Sequence, residues 1–449
     1  MSEEGPGLRD EGLGSASRNP GMSPLASRDH VLRRREVYAW AMYDWANSAY
    51  STLLITVVLH YLQEIVLPGD WGPTIFAFGI GGAMLVAAVL SPIVGAVADA
   101  NCSKRRWLAG TALCGAAAAV AMALVPPNHV VLVVAAFVLM GVCFELSLVP
   151  YNGFLPEITN EKTINRVSAL GYAMGYIGGS VPLVIAWMVV RHGQSIGLPG
   201  EAVQHRFGIL LLGLWWGVFS LPSIWILRDR GRPTGRREPP LKAARIALRQ
   251  VGRTLTHVRR YPVLALFLLA FLFYNDGVQT VITQANTLAT KELHFSLDEL
   301  FQLVLMIQLV ALPSSLLVGW LSDRLGQKPV LLTCLTVWGG LLIASGFVEN
   351  KQSFWLMGVV LAAVLGGTQA VSRAMMGVMT PPKHAAEFFG FFNLSGKAAS
   401  VLGPIQFGVI YYFTQNSRLA AVSLLIFFLI GSVLVARIRV AEGHRQAIG

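Results

Sequence analysis

Long apolar runs alternate with short polar loops along most of the chain. A transmembrane α-helix needs roughly 20 apolar residues to cross the hydrocarbon core of a bilayer. Twelve such stretches can be placed, near residues 37–62, 73–98, 107–125, 130–149, 167–190, 207–227, 263–285, 300–320, 329–348, 354–378, 388–413 and 419–436. The pattern therefore predicts an all-α membrane protein with 12 transmembrane helices.

One long polar interruption, residues 228–260, separates the sixth predicted span from the seventh. It contains eleven Lys and Arg residues against two acidic ones, and the positive-inside rule places such a segment in the cytoplasm. The linker divides the apolar part into two six-helix bundles, 36–227 and 261–437. Most of the 35 Lys and Arg residues lie in alternate loops, so both ends of the chain are expected to be cytoplasmic. The end segments are 1–35, with the composition of a disordered tail, and 438–449.

The second part of the linker has the pattern of an amphipathic helix. Its apolar residues recur at steps of three and four, at Leu241, Ala244, Leu248, Val251, Leu255 and Val258. Basic residues fill much of the remaining surface, so residues 241–260 are expected to lie on anionic lipid head groups. A calmodulin-like or nucleic-acid target would show a similar pattern, but spans on both sides favour the membrane surface. No nucleic-acid partner is expected.

Composition separates the chain from ordinary soluble proteins. It is 54% hydrophobic and 13% charged, with a mean hydropathy of +0.57, and its net charge of +11 is concentrated in loops. The four cysteines show no metal-site or disulfide spacing. Neither HExxH nor Gly-x-Ser-x-Gly occurs, and the glycine-rich segments lack the ending of a nucleotide loop. We therefore expect no enzyme activity, no catalytic residues, no metal site and no cofactor.

An internal repeat relates the two halves. Gly95 and Asp99 follow the second predicted span, and Gly319 and Asp323 follow the eighth, each pair offset by 224 residues. Two copies at equal offset indicate two bundles related by a pseudo-twofold axis, the arrangement of a rocker-type secondary transporter. A plain topogenic charge cluster would account for one copy but not for both.

The second copy resembles the loop signature of the major facilitator superfamily. Its matching residues are Gly319, Asp323, Arg324, Gly326 and Lys328. The first copy keeps Gly95, Asp99 and a basic cluster that includes Arg105, but has Ala100 where the signature has Arg. The resemblance implies that these residues close the inner face in one of two transport states.

Longer motifs resemble the branch of that superfamily that contains the vacuolar amino-acid effluxers of fungi and their bacterial relatives. They are YDWANSAY at 43–50, YNDGVQT at 274–280, GGTQAVSR at 366–373, and EFFG at 387–390 with GKAA at 396–399. The resemblance implies export of amino acids or similar small solutes. The large extra loops of the fungal members are missing, which favours a bacterial inner-membrane protein.

Five charged residues fall inside predicted spans: Asp44, Glu145, Asp276, Arg373 and Lys397. Each costs about 2.5 to 3.5 kcal/mol on insertion scales, so each needs a reason to be there. Spans 1, 4, 7 and 10 line the central cavity in the architecture that the resemblance implies. Four of the five charges lie on those spans, and Lys397 lies on span 11.

The charges suggest a site for a zwitterion. Asp276 suits a proton carrier or an ammonium acceptor, and Lys397 suits a substrate carboxylate, although a fixed ion pair between them is the alternative. Asp44, with Asn47 one turn later, suits either transport or packing of the inner gate. Asn275 and Gln279 add amide groups to the predicted pocket.

Glu145 and Arg373 are offset by 228 residues, close to the repeat spacing. They therefore occupy near-equivalent positions on spans 4 and 10, where opposite charges predict a gating salt bridge. In span 5, Gly171, Gly175 and Gly179 recur every fourth residue, which indicates close helix packing.

The favoured interpretation is a monomeric secondary active transporter that exports small polar or zwitterionic solutes by alternating access, with proton coupling as an option. Efflux of amphipathic or lipid-like compounds is the first alternative, left open by Phe388, Phe389, Phe391 and Phe392. A membrane receptor or scaffold without transport is the alternative from another class.

Overall fold

The computed structural model describes residues 24–69, 71–230, 261–289, 293–398 and 402–448. These residues are predominantly helical. In chain order the helices are α1 (Pro24–Leu53), α2 (Trp71–Ala100), α3 (Lys104–Leu124), α4 (Val130–Ile158), α5 (Ile164–His192), α6 (Glu201–Ile226), α7 (Pro262–Thr287), α8 (Leu297–Leu325), α9 (Gln327–Ser345), α10 (Lys351–Met379), α11 (Ala385–Ala398), α12 (Leu402–Thr414), α13 (Ser417–Ser423), α14 (Leu425–Arg437) and α15 (Val440–Ile448). Two π-helical segments, Leu54–Val58 and Tyr61–Val66, continue α1. Two short 3₁₀ turns lie at Gly193–Ile196 and Pro382–His384.

The twelve predicted spans are present. Eleven helices in the described residues are long and apolar enough to cross a membrane. The remaining span, predicted at 388–413, comprises α11 and α12, with residues 399–401 between them outside the described part. Spans 1 to 6 form one six-helix bundle, the N-half (α1 to α6). Spans 7 to 12 form the other, the C-half (α7 to α14).

Some predicted boundaries need correction, and others lie outside the described residues. Helix α1 begins at Pro24, so it occupies the last part of the segment 1–35 that was expected to be a disordered tail. At the other end, α15 occupies most of the expected tail 438–449. Residues 231–260 are not described, so the interfacial helix at 241–260 remains a prediction.

Capping residues account for several helix ends. Ser296 and Glu299 form a reciprocal capping box at the start of α8, which satisfies two amide groups that the first turn leaves free. Asn350 caps α10 by accepting from the Ser353 amide. Between α8 and α9 the backbone turns at Gly326, whose φ of 89° favours glycine. These local signals fix the starts of α8 and α10 and the turn between α8 and α9.

Each half has its own aromatic core. In the N-half, Tyr50 stacks on Phe144 with ring centroids 4.0 Å apart, and fully buried Trp216 packs beside both rings. In the C-half, Trp338 stacks on Phe428 at 5.7 Å. Each bundle therefore has an aromatic centre of its own, while Phe301 and Ala374 of the C-half also pack into the core of the N-half.

The glycines of α5 allow close contact with α1, as their spacing predicts. A Cβ atom at Gly171 would lie 2.5 Å from an Asp44 carboxylate oxygen, and one at Gly175 would lie 2.7 Å from the Ser48 hydroxyl. At Gly179 it would lie 2.5 Å from the Thr52 hydroxyl. Real Cβ contacts are longer than these, so only glycine permits this helix separation.

Candidate substrate site and gates

An ion pair between the halves lies in the membrane interior. Arg373 on α10 donates from Nη1 to Oδ2 of Asp44 on α1 at 3.0 Å. Its Nε and Nη2 donate to the hydroxyl and the carbonyl oxygen of Ser168 on α5, at 3.1 and 2.7 Å. Because Arg373 belongs to the C-half and its partners belong to the N-half, these contacts hold the two bundles together.

Aromatic rings enclose the Arg373 guanidinium. Its central carbon lies 4.1 Å from the ring centroid of Tyr172, 4.7 Å from that of Trp40 and 5.7 Å from that of Tyr151. Such cation–π contacts strengthen when the cation is removed from water, and the Arg373 side chain is only 4% exposed. The absence of a side chain at Gly171 leaves room for the pair. Arg373 is therefore held by a complete set of partners.

A second ion pair also joins the halves. Lys397 on α11 lies 2.8 Å from Oε1 of Glu145 on α4. This pair is less fully enclosed, because the Lys397 side chain is 21% exposed. It is also less fully bonded, because Oε2 of Glu145 is buried without a hydrogen-bond partner. Beside it, Asn393 donates to the Ser91 hydroxyl at 2.8 Å and to the Glu145 carbonyl at 3.3 Å.

Both pairings differ from those considered from the sequence. The predicted salt bridge between Glu145 and Arg373 is wrong: each residue reaches a different helix of the opposite half, Glu145 to α11 and Arg373 to α1 and α5. The contact of Glu145 with α11 and that of Arg373 with Ser168 on α5 are equivalent under the pseudo-twofold axis, because α4 corresponds to α10 and α11 to α5. The Asp44 partner lies on α1, whose counterpart is span 7, so the two ion pairs themselves are not equivalent. The alternative pair of Asp276 with Lys397 is likewise wrong, since Lys397 bonds Glu145.

Asp276 on α7 instead contacts α12. Its Oδ2 accepts from the Gly403 amide at 2.7 Å. Asp276 is fully buried. Its Oδ1 and the Thr280 hydroxyl are both buried without a hydrogen-bond partner. A Cβ at Gly403 would overlap the Thr280 hydroxyl, so glycine is needed where α12 approaches α7.

Amide side chains connect span 7 to the neighbourhood of Lys397. Asn275 donates to the Gly396 carbonyl at 3.3 Å and accepts from Gln369 at 3.2 Å, which places it one residue from Lys397 along α11. Asn47 on α1 is buried with its Nδ2 unpartnered. Gln279 is half-buried on α7. The amides predicted for the pocket are therefore distributed along spans 1 and 7.

The first copy of the repeat forms a junction between the halves. Asp99 at the end of α2 pairs with Lys104 at 3.1 Å, and Lys104 also pairs with Glu157. Through its other oxygen, Asp99 accepts from the Glu387 amide in the first turn of α11 at 2.8 Å. A carboxylate is favourable at a helix N-terminus. A Cβ at Gly95 would overlap the Ala386 carbonyl oxygen, so α2 and α11 cross in direct backbone contact.

The second copy repeats the arrangement with the halves exchanged. Asp323 at the end of α8 accepts from Asn165 at 3.0 Å and pairs with Arg166, both in the first turn of α5. Gln327 donates to Asn165 at 2.7 Å. A Cβ at Gly319 would lie 2.5 Å from the Ala169 Cβ. The two junctions lie at the same end of the molecule, which we call the basic face because Lys104, Arg105, Arg106, Arg228 and Arg230 lie there.

The other basic residues of the signature do not bridge the halves. The Arg105 amide is 3.4 Å from an Asp229 carboxylate oxygen within the N-half. Arg324 lies over the Trp320 ring at 3.9 Å, and Lys328 donates to the Ala436 carbonyl at the end of α14. Among the described residues these three make no contact across the halves, and their gating role stays a prediction.

Sequence reasoning missed several partners. No pairing was predicted from the sequence for Lys104, Asn165, Arg166 or Ser168. The polar first turn of α5, equivalent to that of α11 under the repeat, was the available signal. Phe388, Phe389 and Phe391 are buried in the C-half core, so they supply packing and not a pocket wall.

One titratable group beside the first junction lies outside the membrane spans. His384 has its Nδ1 3.5 Å from the Glu387 carboxylate. This carboxylate raises the pKa of His384 above its usual value of 6.5, although burial acts in the opposite direction. A protonated His384 therefore adds a positive charge beside Asp99.

Two pseudo-symmetric six-helix bundles, joined by buried ion pairs and by paired glycine–aspartate junctions, form the fold of the major facilitator superfamily. Solved structures support this fold: the proton:xylose symporter XylE covers 91% of this chain at a TM-score of 0.69 and 11% identity. The fucose transporter FucP, in its outward conformation, covers 90% of the chain at a TM-score of 0.64 and 12% identity. The matches cover 95% and 98% of those chains.

Within that superfamily the chain belongs to the family described as Vacuole effluxer Atg22 like, whose sequence model matches residues 74–448. An uncharacterized MFS-type transporter of Bacillus subtilis (strain 168), YxiO, is 32% identical over 89% of this chain and 93% of its own length. Autophagy-related protein 22 of Cryptococcus neoformans is 27% identical over 64% of this chain, and the match spans 52% of that relative. The protein is a multi-pass membrane transporter and not an enzyme.

Proposed function

We propose that the protein exports small zwitterionic solutes such as amino acids by alternating access, in a bacterial plasma membrane with the basic face towards the cytoplasm. The observation that carries the proposal is the pair of buried ion pairs, Asp44 with Arg373 and Glu145 with Lys397, each of which joins one half to the other. The relative from Bacillus subtilis supports the location in a bacterial plasma membrane, and the family description supports efflux of a solute.

Glu145 and Lys397 are the residues best suited to contact the solute. Each buried charge requires a compensating charge, and a zwitterion can replace both partners at once, with its ammonium at Glu145 and its carboxylate at Lys397. The residual exposure of Lys397 and the unpartnered oxygen of Glu145 favour this pair. Arg373 is enclosed by rings and hydrogen bonds, which suits a lock that holds the halves together.

In this mechanism the two junctions close the basic face. Asp99 and Asp323 each bind the first turn of a helix in the opposite half, so rotation of the halves must break both sets of contacts together. Gly95 and Gly319 permit the close crossings. Opening then releases the solute-side pairs, which gives the two-state behaviour that alternating access requires.

Asp276 is the proposed proton carrier. Its carboxylate is buried, has no ionic partner among the described residues and keeps one unpartnered oxygen. Such a carboxyl is costly to ionise away from water, and protonation would leave the bond from Gly403 to the other oxygen intact.

The test is counterflow in proteoliposomes with a panel of labelled amino acids, at two imposed pH gradients. We expect exchange of at least one amino acid in the wild type and its loss in Lys397→Gln and Glu145→Gln. The matched control is Lys351→Gln, which removes the exposed pair with Glu299 and should leave exchange unchanged. Correctly folded wild-type protein that exchanges none of the amino acids would contradict the proposal.

A separate variant tests proton coupling. Asp276→Asn keeps an oxygen that can accept from the Gly403 amide but cannot release a proton. We expect counterflow to persist while its response to the imposed pH gradient disappears. An unchanged response to the gradient would remove Asp276 from the coupling step and leave the solute assignment standing.

A further inference from the structure

A cluster of metal-ligating side chains lies in the N-half at the end opposite the basic face. His60 follows the first π-helical segment of span 1, and Glu201 and His205 lie in the first two turns of α6. One ligand atom from each residue can be chosen so that all lie within 4.8 Å of one another. Span 1 begins and α6 ends at the basic face, so the cluster is at the far membrane surface.

The contacts within the cluster orient its ligand atoms. His60 Nε2 is 2.7 Å from Glu201 Oε1, and the His60 and His205 rings stack with centroids 4.6 Å apart. His205 Nδ1 is 2.9 Å from the Glu201 carbonyl oxygen. A carbonyl can only accept, so Nδ1 carries the proton and Nε2 keeps its lone pair. Metal-binding histidines commonly have their tautomer set by such a bond.

We propose that His60, Glu201 and His205 bind a divalent transition-metal ion, with Zn²⁺ as the first choice. Two imidazoles and a carboxylate are ligands that Zn²⁺ accepts, and the set leaves a fourth position for water. Ligand atoms about 2 Å from a tetrahedral ion lie roughly 3.4 Å apart. His60 Nε2 and Glu201 Oε1 are 2.7 Å apart and must separate slightly, whereas the widest separation in the cluster, which is within 4.8 Å, must shorten by up to about 1.4 Å. The Glu201 side chain, which is 61% exposed, can adjust to both changes.

The position of the site within the N-half indicates a stabilising role for the ion. It would join span 1 to span 6, both in the N-half, at the point where span 1 leaves regular α-helical geometry in two π-helical segments. Such segments often accompany functional sites. A bond within one half does not resist rotation of the halves, so the ion stabilises the N-half without locking the transport cycle. Arg206, the nearby cation, is held by the Ala123 and Leu124 carbonyls.

The test uses the full chain, purified without a histidine tag and treated with chelator, and ZnCl₂ as the only added metal. Competition with a chromogenic chelator measures the affinity, and thermal unfolding measures the stabilisation. We expect one ion per chain and a rise in melting temperature. His60→Gln and Glu201→Gln should each weaken binding at least tenfold and remove the rise. His192→Gln, at the exposed end of α5 on the same surface, is the matched control and should bind as the wild type does.

Two outcomes would overturn the site. One is a wild-type chain that binds Zn²⁺ no better than the double variant His60→Gln, Glu201→Gln. The other is a loss of binding in His192→Gln equal to that in His60→Gln, which would indicate adsorption to surface histidines. His205 is buried, so the two more exposed positions are used to keep folding intact. Because the site lies outside the proposed transport pathway, counterflow by Glu201→Gln should remain normal whichever result is obtained.

Discussion

Replacing Arg373 by Met should destabilise the folded transporter through Asp44. The methionine fills part of the same volume but leaves a carboxylate that is 7% exposed without its 3.0 Å partner. Both donations to Ser168 are lost as well. The variant at the other partner, Asp44→Asn, leaves the Arg373 guanidinium buried among rings without a counter-charge.

The magnitudes separate a charge effect from simple loss of contacts. Removing one partner of a buried ion pair costs about 3–5 kcal/mol, because the remaining charge is uncompensated. The double variant Asp44→Asn, Arg373→Met contains no unpaired charge, and it loses the same Ser168 bonds and ring contacts as Arg373→Met alone. We therefore expect the double variant to be more stable than Arg373→Met by at least about 1 kcal/mol, because it no longer leaves the Asp44 carboxylate uncompensated.

The assay is reversible unfolding of the purified protein in mixed detergent micelles, with the free energy of unfolding compared across the four proteins of the cycle. The exposed pair Lys351 and Glu299 supplies the control cycle, with Lys351→Gln and Glu299→Gln. Glutamine can still accept from the Ser296 amide in the capping box, so these single variants should change stability little. Additive losses at Asp44 and Arg373, within about 0.5 kcal/mol, would refute the reasoning. They would show that the two side chains do not depend on each other.

Two further predictions concern the basic face. Gly95→Ala should prevent the close crossing of α2 and α11, because its Cβ would overlap a backbone oxygen. The control is Gly82→Ala on the same helix, whose Cβ meets nothing within 4 Å. Faster labelling of Cys102 by a water-soluble thiol reagent in the first variant alone would show the opening, and equal labelling in both variants would contradict it. The pKa of His384 is raised above 6.5 by the Glu387 carboxylate, so its stabilising charge is fully present below about pH 6.5 and is lost as pH rises through the raised pKa. The melting temperature of His384→Gln should accordingly fall below that of the wild type at pH 5.5 and approach it at pH 9, and a gap that is constant with pH would contradict this assignment.

The repeat was the most informative feature of the sequence for the gates. Gly95, Asp99, Gly319 and Asp323 each lie at a junction between the halves, as their equal offset indicates. Their partners are in the first turns of α11 and α5, more than 150 residues away along the chain. No local pattern relates an aspartate to a distant helix start, so those partners appeared only in the folded chain.

The amino-acid sequence by itself determined the number of spans, their division into two related halves and which spans carry the buried charges. These properties depend on hydrophobic length and on a constant helical rise per residue, which are both local. Only the tertiary structure decided that Arg373 meets Asp44, that Lys397 meets Glu145 and that Asp276 meets the Gly403 amide on α12. Depth along a helix says nothing about which neighbouring helix a side chain faces, and in a low-dielectric interior it is that neighbour that supplies the counter-charge.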